Sequence, residues 1–166
     1  MKQIQFNIAE KILALLKQND RSLSSAESCS GGGIAKALTD VPGCSESFVG
    51  GVVAYSNDIK SRLLGVDDKT LEKFGAVSEE TVIEMADNTS NIFNTDFCIV
   101  SSGVAGPSGG TMKKPVGTVW LAVATPENVI TLECRFSGDR ESIREQTITE
   151  GLKFLNEEIQ NYIDDN

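Results

Sequence analysis

"RSLSSAESCSGGGIAKAL", residues 21–38, is the stretch on which the fold turns. Residues 21–28 read as a short strand, and Ser30–Leu38 as a helix entered through three glycines. A plain connection needs only one or two turn residues. Here a carboxylate, two hydroxyls and a thiol (Glu27, Ser28, Ser30, Cys29) stand directly before Gly31, Gly32 and Gly33. Backbone stripped of side chains is what a chain uses where it approaches a ligand closely.

Working outward, Ile8, Ile12, Leu15 and Leu16 recur at helical spacing, which predicts an amphipathic helix over 4–19. "TDVPG", 39–43, is a turn, and "FVGGVVAYS", 48–56, is a strand whose glycine pair marks a bulge or close approach. Ser56 can cap a short helix ending near Gly65. Ser78 is the N-cap of a further helix, with Glu79 and Glu80 suited to its dipole and Val82, Met85, Ala86 and Ile92 as its core face. "DFCIVSSG", 96–103, is a buried strand, followed by the long glycine-rich loop "VAGPSGGTMKKP". "VGTVWLAVAT" and "NVITLECRFSG", separated by Pro126-Glu127, predict an antiparallel hairpin. Asp139 then caps a last helix whose face is Ile148, Leu152, Leu155, Ile159 and Tyr162.

The order is α-β-α-β-α-α-β-β-β-α, with no internal repeat and no linker. It predicts one domain over 1–166, a three-layer α/β/α sandwich on a mixed, mostly parallel sheet. Ligands in such sheets gather at the carboxyl ends of the parallel strands. Three unusual loops leave those ends: Ser28–Gly33, Ser56–Lys60 and Ser102–Gly110.

Composition removes whole classes of function. The 166 residues carry 24 acidic against 15 basic side chains, a net charge of −9. That argues against a nucleic-acid binder or an anionic-membrane binder, which need a basic footprint. The N-terminus lacks the apolar stretch of a signal peptide and no run spans a bilayer, so a cytoplasmic protein is expected. Cys29, Cys44, Cys98 and Cys134 are scattered and read as reduced thiols. There is no histidine, which excludes Ser-His and Cys-His nucleophiles, histidine bases and histidine-containing metal sites together. A hydrolase built from this chain must use Lys, Tyr, Asp or Glu as its base.

Four pieces carry candidate chemistry, each with a plainer alternative. In "ESCSGGG" the plain reading makes Ser30 an N-cap and nothing more. The functional one makes Ser28 or Cys29 a nucleophile, with the following N–H groups binding an oxyanion or phosphate. In "YSNDIK", Lys60 is either a solvated lysine or a base with a lowered pKa, the substitute for an absent histidine. Tyr55 supplies a hydroxyl or stacking face unless it is core. "SSGVAGPSGGTMKKPVGT" is either a mobile connection or a covering loop in which Ser102 and the backbone of Gly103 and Gly106 complete the site. Lys113 and Lys114 read as solvated. In "FSGDRESIR", Arg140 and Arg144 share a face at a helix start, where two cations are unfavourable unless they pair with Glu141 or Glu145 or hold an anion.

Together these pieces resemble a known family. "AESCSGG", "VAYSNDIKSRLLGV", "GAVSEETV", "SGVAGPSGG", "KPVGTVWLAVA" and "FSGDR" are similar, in order and spacing, to the motifs of the CinA C-terminal domain family, from about residue 8 to residue 160. Many members carry an additional N-terminal domain similar to molybdopterin-binding proteins, so a stand-alone form is expected here. The resemblance implies a five-stranded mixed sheet, self-association as a homodimer or larger, no metal requirement and no cofactor. It implies nicotinamide-nucleotide amidohydrolase activity: nicotinamide mononucleotide and water give nicotinate mononucleotide and ammonia.

Carried over by motif, Ser28 is the nucleophile and Lys60 its base. Ser45 of "GCSESF" and Tyr55 lie in pocket motifs, and Ser102 stands where the family has Thr or Ser before "GxAGP". Arg140 carries over to the substrate phosphate, with Arg144 as a second. Ser30 replaces the Thr of many relatives and keeps the hydroxyl. Amide hydrolysis also needs oxyanion donors, a role the Cys29, Ser30, Gly31 and Gly32 N–H groups can fill. The lysine must be neutral, with its pKa well below about 10.4, through desolvation or a neighbouring cation. The alternative is a non-catalytic nucleotide-binding or oligomerisation module linked to competence.

Overall fold

The computed structural model describes residues 2–166. They form five strands, β1 (Leu23–Glu27), β2 (Phe48–Val53), β3 (Phe97–Gly103), β4 (Thr118–Ala124) and β5 (Val129–Arg135). Six α-helices join them: α1 (Gln3–Gln18), α2 (Gly33–Thr39), α3 (Asn57–Arg62), α4 (Asp68–Phe74), α5 (Glu79–Phe93) and α6 (Arg140–Asp165). The sheet order is β2-β1-β3-β4-β5. β1 runs parallel to both neighbours, and β4 is antiparallel to both of its own. This is the mixed, mostly parallel α/β architecture that the pattern predicts.

Alternation along the strands builds the layers. Leu23, Phe97, Ile99, Val119, Leu121 and Val123 face one core with α1, α2 and α6. Ala26, Cys98, Val100, Ala122 and Ala124 face the other, against Val82, Met85 and Ala86 of α5 and Leu71 of α4. Small residues on the second face let α5 lie close to the sheet. No helix among the described residues is long and apolar enough to cross a membrane.

Local caps follow the expected chemistry. Ser56, Ser78 and Asp139 accept from the N–H groups of Ile59, Thr81 and Ser142. Four expectations need correction. α2 begins at Gly33, because Gly31 and Gly32 have φ of +63° and +87°, left-handed values that break the helix before it. Ser30 is not its cap. α4 was not expected; Asp67 caps it by accepting from the Lys69 N–H, and Glu84 on α5 accepts from the Asp67 N–H and the Thr70 hydroxyl. Ile92 is exposed rather than core, because α5 turns its last face to solvent. Lys114 is not simply solvated: its ammonium donates to the Phe74 carbonyl and ties the glycine-rich loop to the end of α4.

Candidate active site

The β1 strand ends at Glu27, and alternation sends successive side chains to opposite faces of the sheet. Ser28 therefore points toward α3 and Cys29 toward α6. From the first turns of α3, Lys60 reaches back under the strand end. Its Nζ lies 3.1 Å from Ser28 Oγ and donates to the Ala54 carbonyl at 2.8 Å. Lys60 is 1% exposed and Ser28 8%. Among the described residues Lys60 forms no ion pair, and burial lowers its pKa from the ordinary value. A neutral amine that gives one N–H to Ala54 keeps its lone pair for the Ser28 proton. The pair has the geometry of a nucleophile and its base.

Cys29 is the wrong thiol for the work. It is buried in the α6 core, where desolvation pushes its pKa up to about 12. A thiol so high is protonated and poorly nucleophilic at neutral pH. Of the two side chains, Ser28 faces Lys60 and the cavity, and Cys29 faces the core.

The turn that follows offers fewer donors than its four N–H groups promise. The Gly31 N–H closes onto the Ser28 carbonyl at 3.0 Å, which removes it from the oxyanion set. The N–H groups of Cys29, Ser30 and Gly32 donate to no protein acceptor among the described residues. The Ser30 hydroxyl is engaged below the turn, with Glu27 and Ser101 each at 2.6 Å.

Above the pair opens a cavity of about 270 Å³ lined by Ser28, Lys60, Tyr55, Ser102, Gly103, Gly106 and Arg140. Tyr55 stands at its rim with the ring exposed, so it is not core. Arg140 donates to the Gly106 carbonyl at 2.8 Å and to the Tyr55 hydroxyl at 2.5 Å, bridging the mouth from the first residue of α6. Asn57 also lines the cavity, a residue that sequence reasoning passed over. The Ser102 hydroxyl, buried, donates to the Ala76 carbonyl at 2.7 Å and fixes a wall.

Two expected residues do not join this group. Ser45 sits exposed in a 3-10 turn (Cys44–Glu46) before the amino end of β2, at the opposite end of the sheet from Ser28. Within one chain it cannot touch the cavity. Arg144 lies one turn below Arg140, and its Nη2 donates to the Ser30 carbonyl at 3.1 Å. It braces the turn instead of facing the cavity. Glu27 was missed as well; its carboxylate accepts from the Ile34 and Ala35 N–H groups and caps α2. A cap seven residues upstream of its donor leaves no local signature.

A family model for the CinA C-terminal domain matches residues 5–159. The chain belongs to that family. A CinA-like protein of Fervidobacterium nodosum is 51% identical over 136 residues, covering 82% of this chain and 33% of that protein. The chain spans about a third of the length of the curated relatives it matches. Among solved structures, the competence/damage inducible protein CihA from Agrobacterium tumefaciens superposes with a TM-score of 0.91 at 37% identity, covering 93% of this chain and 95% of its own. A CinA superfamily protein from Klebsiella pneumoniae gives 0.91 at 32% identity, covering 95% and 98%. At these identities, the shared architecture of CinA C-terminal domains extends to this chain.

Proposed function

We propose that this CinA C-terminal domain hydrolyses the carboxamide of nicotinamide mononucleotide, releasing nicotinate mononucleotide and ammonia. The observation that carries the reading is the contact of 3.1 Å between Ser28 Oγ and a buried Lys60 that forms no ion pair among the described residues. A lysine held in that way is a base, not a surface charge. Arg140 at the cavity mouth supplies a cation for the substrate phosphate.

The chemistry follows. Ser28 Oγ attacks the carboxamide carbon as its proton passes to Lys60 Nζ. The Cys29 and Ser30 N–H groups stabilise the tetrahedral oxyanion. Its collapse breaks the C–N bond, and Lys60 returns the proton to the departing ammonia. Water, giving a proton to Lys60, then attacks the ester carbonyl. The bond to Ser28 Oγ breaks, Lys60 returns that proton to Oγ, and the acid released ionises to the nicotinate carboxylate.

Incubating the purified protein with nicotinamide mononucleotide and measuring ammonia tests the reading directly. Ammonia release that Ser28→Ala abolishes is the expected result. A protein that binds the nucleotide and leaves its amide intact sinks the hydrolase reading and leaves the non-catalytic module.

A further inference from the structure

We infer that Glu27 is a positioning residue for the oxyanion donors, acting through Ser30; the inference rests on the serine-nucleophile reading above. Glu27 is 1% exposed and directly precedes Ser28, yet alternation turns its side chain to the α2 face, away from the cavity. Its Oε2 accepts from the Ser30 hydroxyl at 2.6 Å and the Ile34 N–H at 3.0 Å, and its Oε1 from the Ala35 N–H at 2.7 Å. The Ser30 hydroxyl, having given its proton to Glu27, accepts from Ser101 Oγ at 2.6 Å. From α6, Arg144 holds the Ser30 carbonyl. Ser30 is therefore fixed at both its side chain and its backbone.

A helix cap requires only the Ile34 and Ala35 bonds. The third bond, to Ser30, does something a cap does not need. Gly31 and Gly32, both left-handed, give the turn no stiffness of their own. The Cys29 and Ser30 N–H groups keep their aim because the residue that carries one and adjoins the other is anchored from below. A shift of about 1 Å in such donors costs on the order of a hundredfold in rate.

The test uses an alkyl fluorophosphonate on the full chain, read by intact mass. Ser28 Oγ attacks phosphorus, the P–F bond breaks, fluoride leaves, Lys60 takes the serine proton, and the phosphoryl oxygen occupies the oxyanion position. Glu27→Gln keeps the side-chain shape but can accept at only one oxygen. Ser30→Ala removes the third bond and leaves both cap bonds to Glu27 intact. Both variants are expected to label roughly ten- to a hundredfold more slowly than wild type. The kcat for nicotinamide mononucleotide should fall in step, with KM within about twofold. The pH midpoint of labelling should stay put, because Glu27 faces away from Lys60. If Ser30→Ala labels at the wild-type rate and Glu27→Gln merely lowers Tm, Glu27 is a helix cap and the inference is overturned. A wild type that takes the probe but spares the mononucleotide sinks the substrate reading alone, and the labelling rates still decide the role of Glu27. A wild type that refuses the probe sinks both.

Discussion

A lysine buried to 1% exposure without a carboxylate partner is costly in its charged form. Burial depresses the Lys60 pKa below 10.5, so between the depressed value and 10.5 the unfolded chain binds more protons than the folded one. Stability should then rise with pH through that window, and on the proposed mechanism activity should rise as pH crosses the depressed value and the base becomes neutral. Lys60→Met should flatten both slopes, lower kcat and kcat/KM by orders of magnitude, and stabilise the fold at neutral pH by about 0.5–2 kcal/mol. Lys60→Arg should not rescue turnover, since guanidinium stays protonated. Thermal melts and rate profiles across pH check both; an active Lys60→Arg sinks the mechanism. Arg140→Ala should raise KM for the mononucleotide about ten- to a hundredfold, the scale of a charge-assisted contact of roughly 1.5–3 kcal/mol. Nicotinamide riboside, which lacks the phosphate, is the control, and equal phosphate discrimination in the variant would return Arg140 to a purely structural role.

At the scale of elements, the three glycines divide their labour. Gly31 and Gly32 supply left-handed backbone, whereas Gly33 supplies absence: a Cβ there would run into Ile148 Cδ1 of α6. Gly33→Ala should destabilise the domain by about 1–3 kcal/mol through overpacking, read as a lower urea midpoint at unchanged m-value. The amino ends of β1 and β3 are joined by Asp96. Partial burial opposes its ionisation, but bonds from the Ser22 N–H and hydroxyl and from Arg21 outweigh that and hold its pKa below 3.8. A depressed carboxylate contributes stability that is present above the unfolded value and lost as pH falls through the folded one. Asp96→Asn should therefore lose stability at neutral pH and show a shallower acid limb, measured by melts between pH 7 and 2. Caps formed within three residues, at Ser56, Ser78 and Asp139, were readable from sequence because donor and acceptor lie in one turn. α4 was not, because seven residues with one buried side chain, Leu71, show no period, and Glu84 on another helix holds its start.

For the whole molecule, the same functional reading includes self-association. We propose a homodimer or larger, supported by the exposed Val49 and Val53 on edge strand β2 and Leu63 just after α3. Sedimentation should report a mass above one chain, and Val53→Asp should shift it downward; a wild-type monomer at micromolar concentration sinks this proposal. Activity should survive EDTA, since the chain has no histidine and the described residues place no cluster of His, Cys, Asp or Glu fit for a metal.

The amino-acid sequence by itself determined the order of the five strands and of every helix except α4, the hairpin at Pro126-Glu127, the short-range caps and the exclusion of imidazole chemistry. Each of these depends on interactions within a few residues or on composition alone. Tertiary structure decided the rest. It brought Lys60 to Ser28 across 32 residues of chain, stripped that lysine of water, and turned Cys29 into an apolar core. It also sent Ser45 to the far end of the sheet and set the Arg144 guanidinium against the Ser30 carbonyl. Proximity and desolvation depend on which strands pair and which helices cover them, and no local period or spacing encodes that.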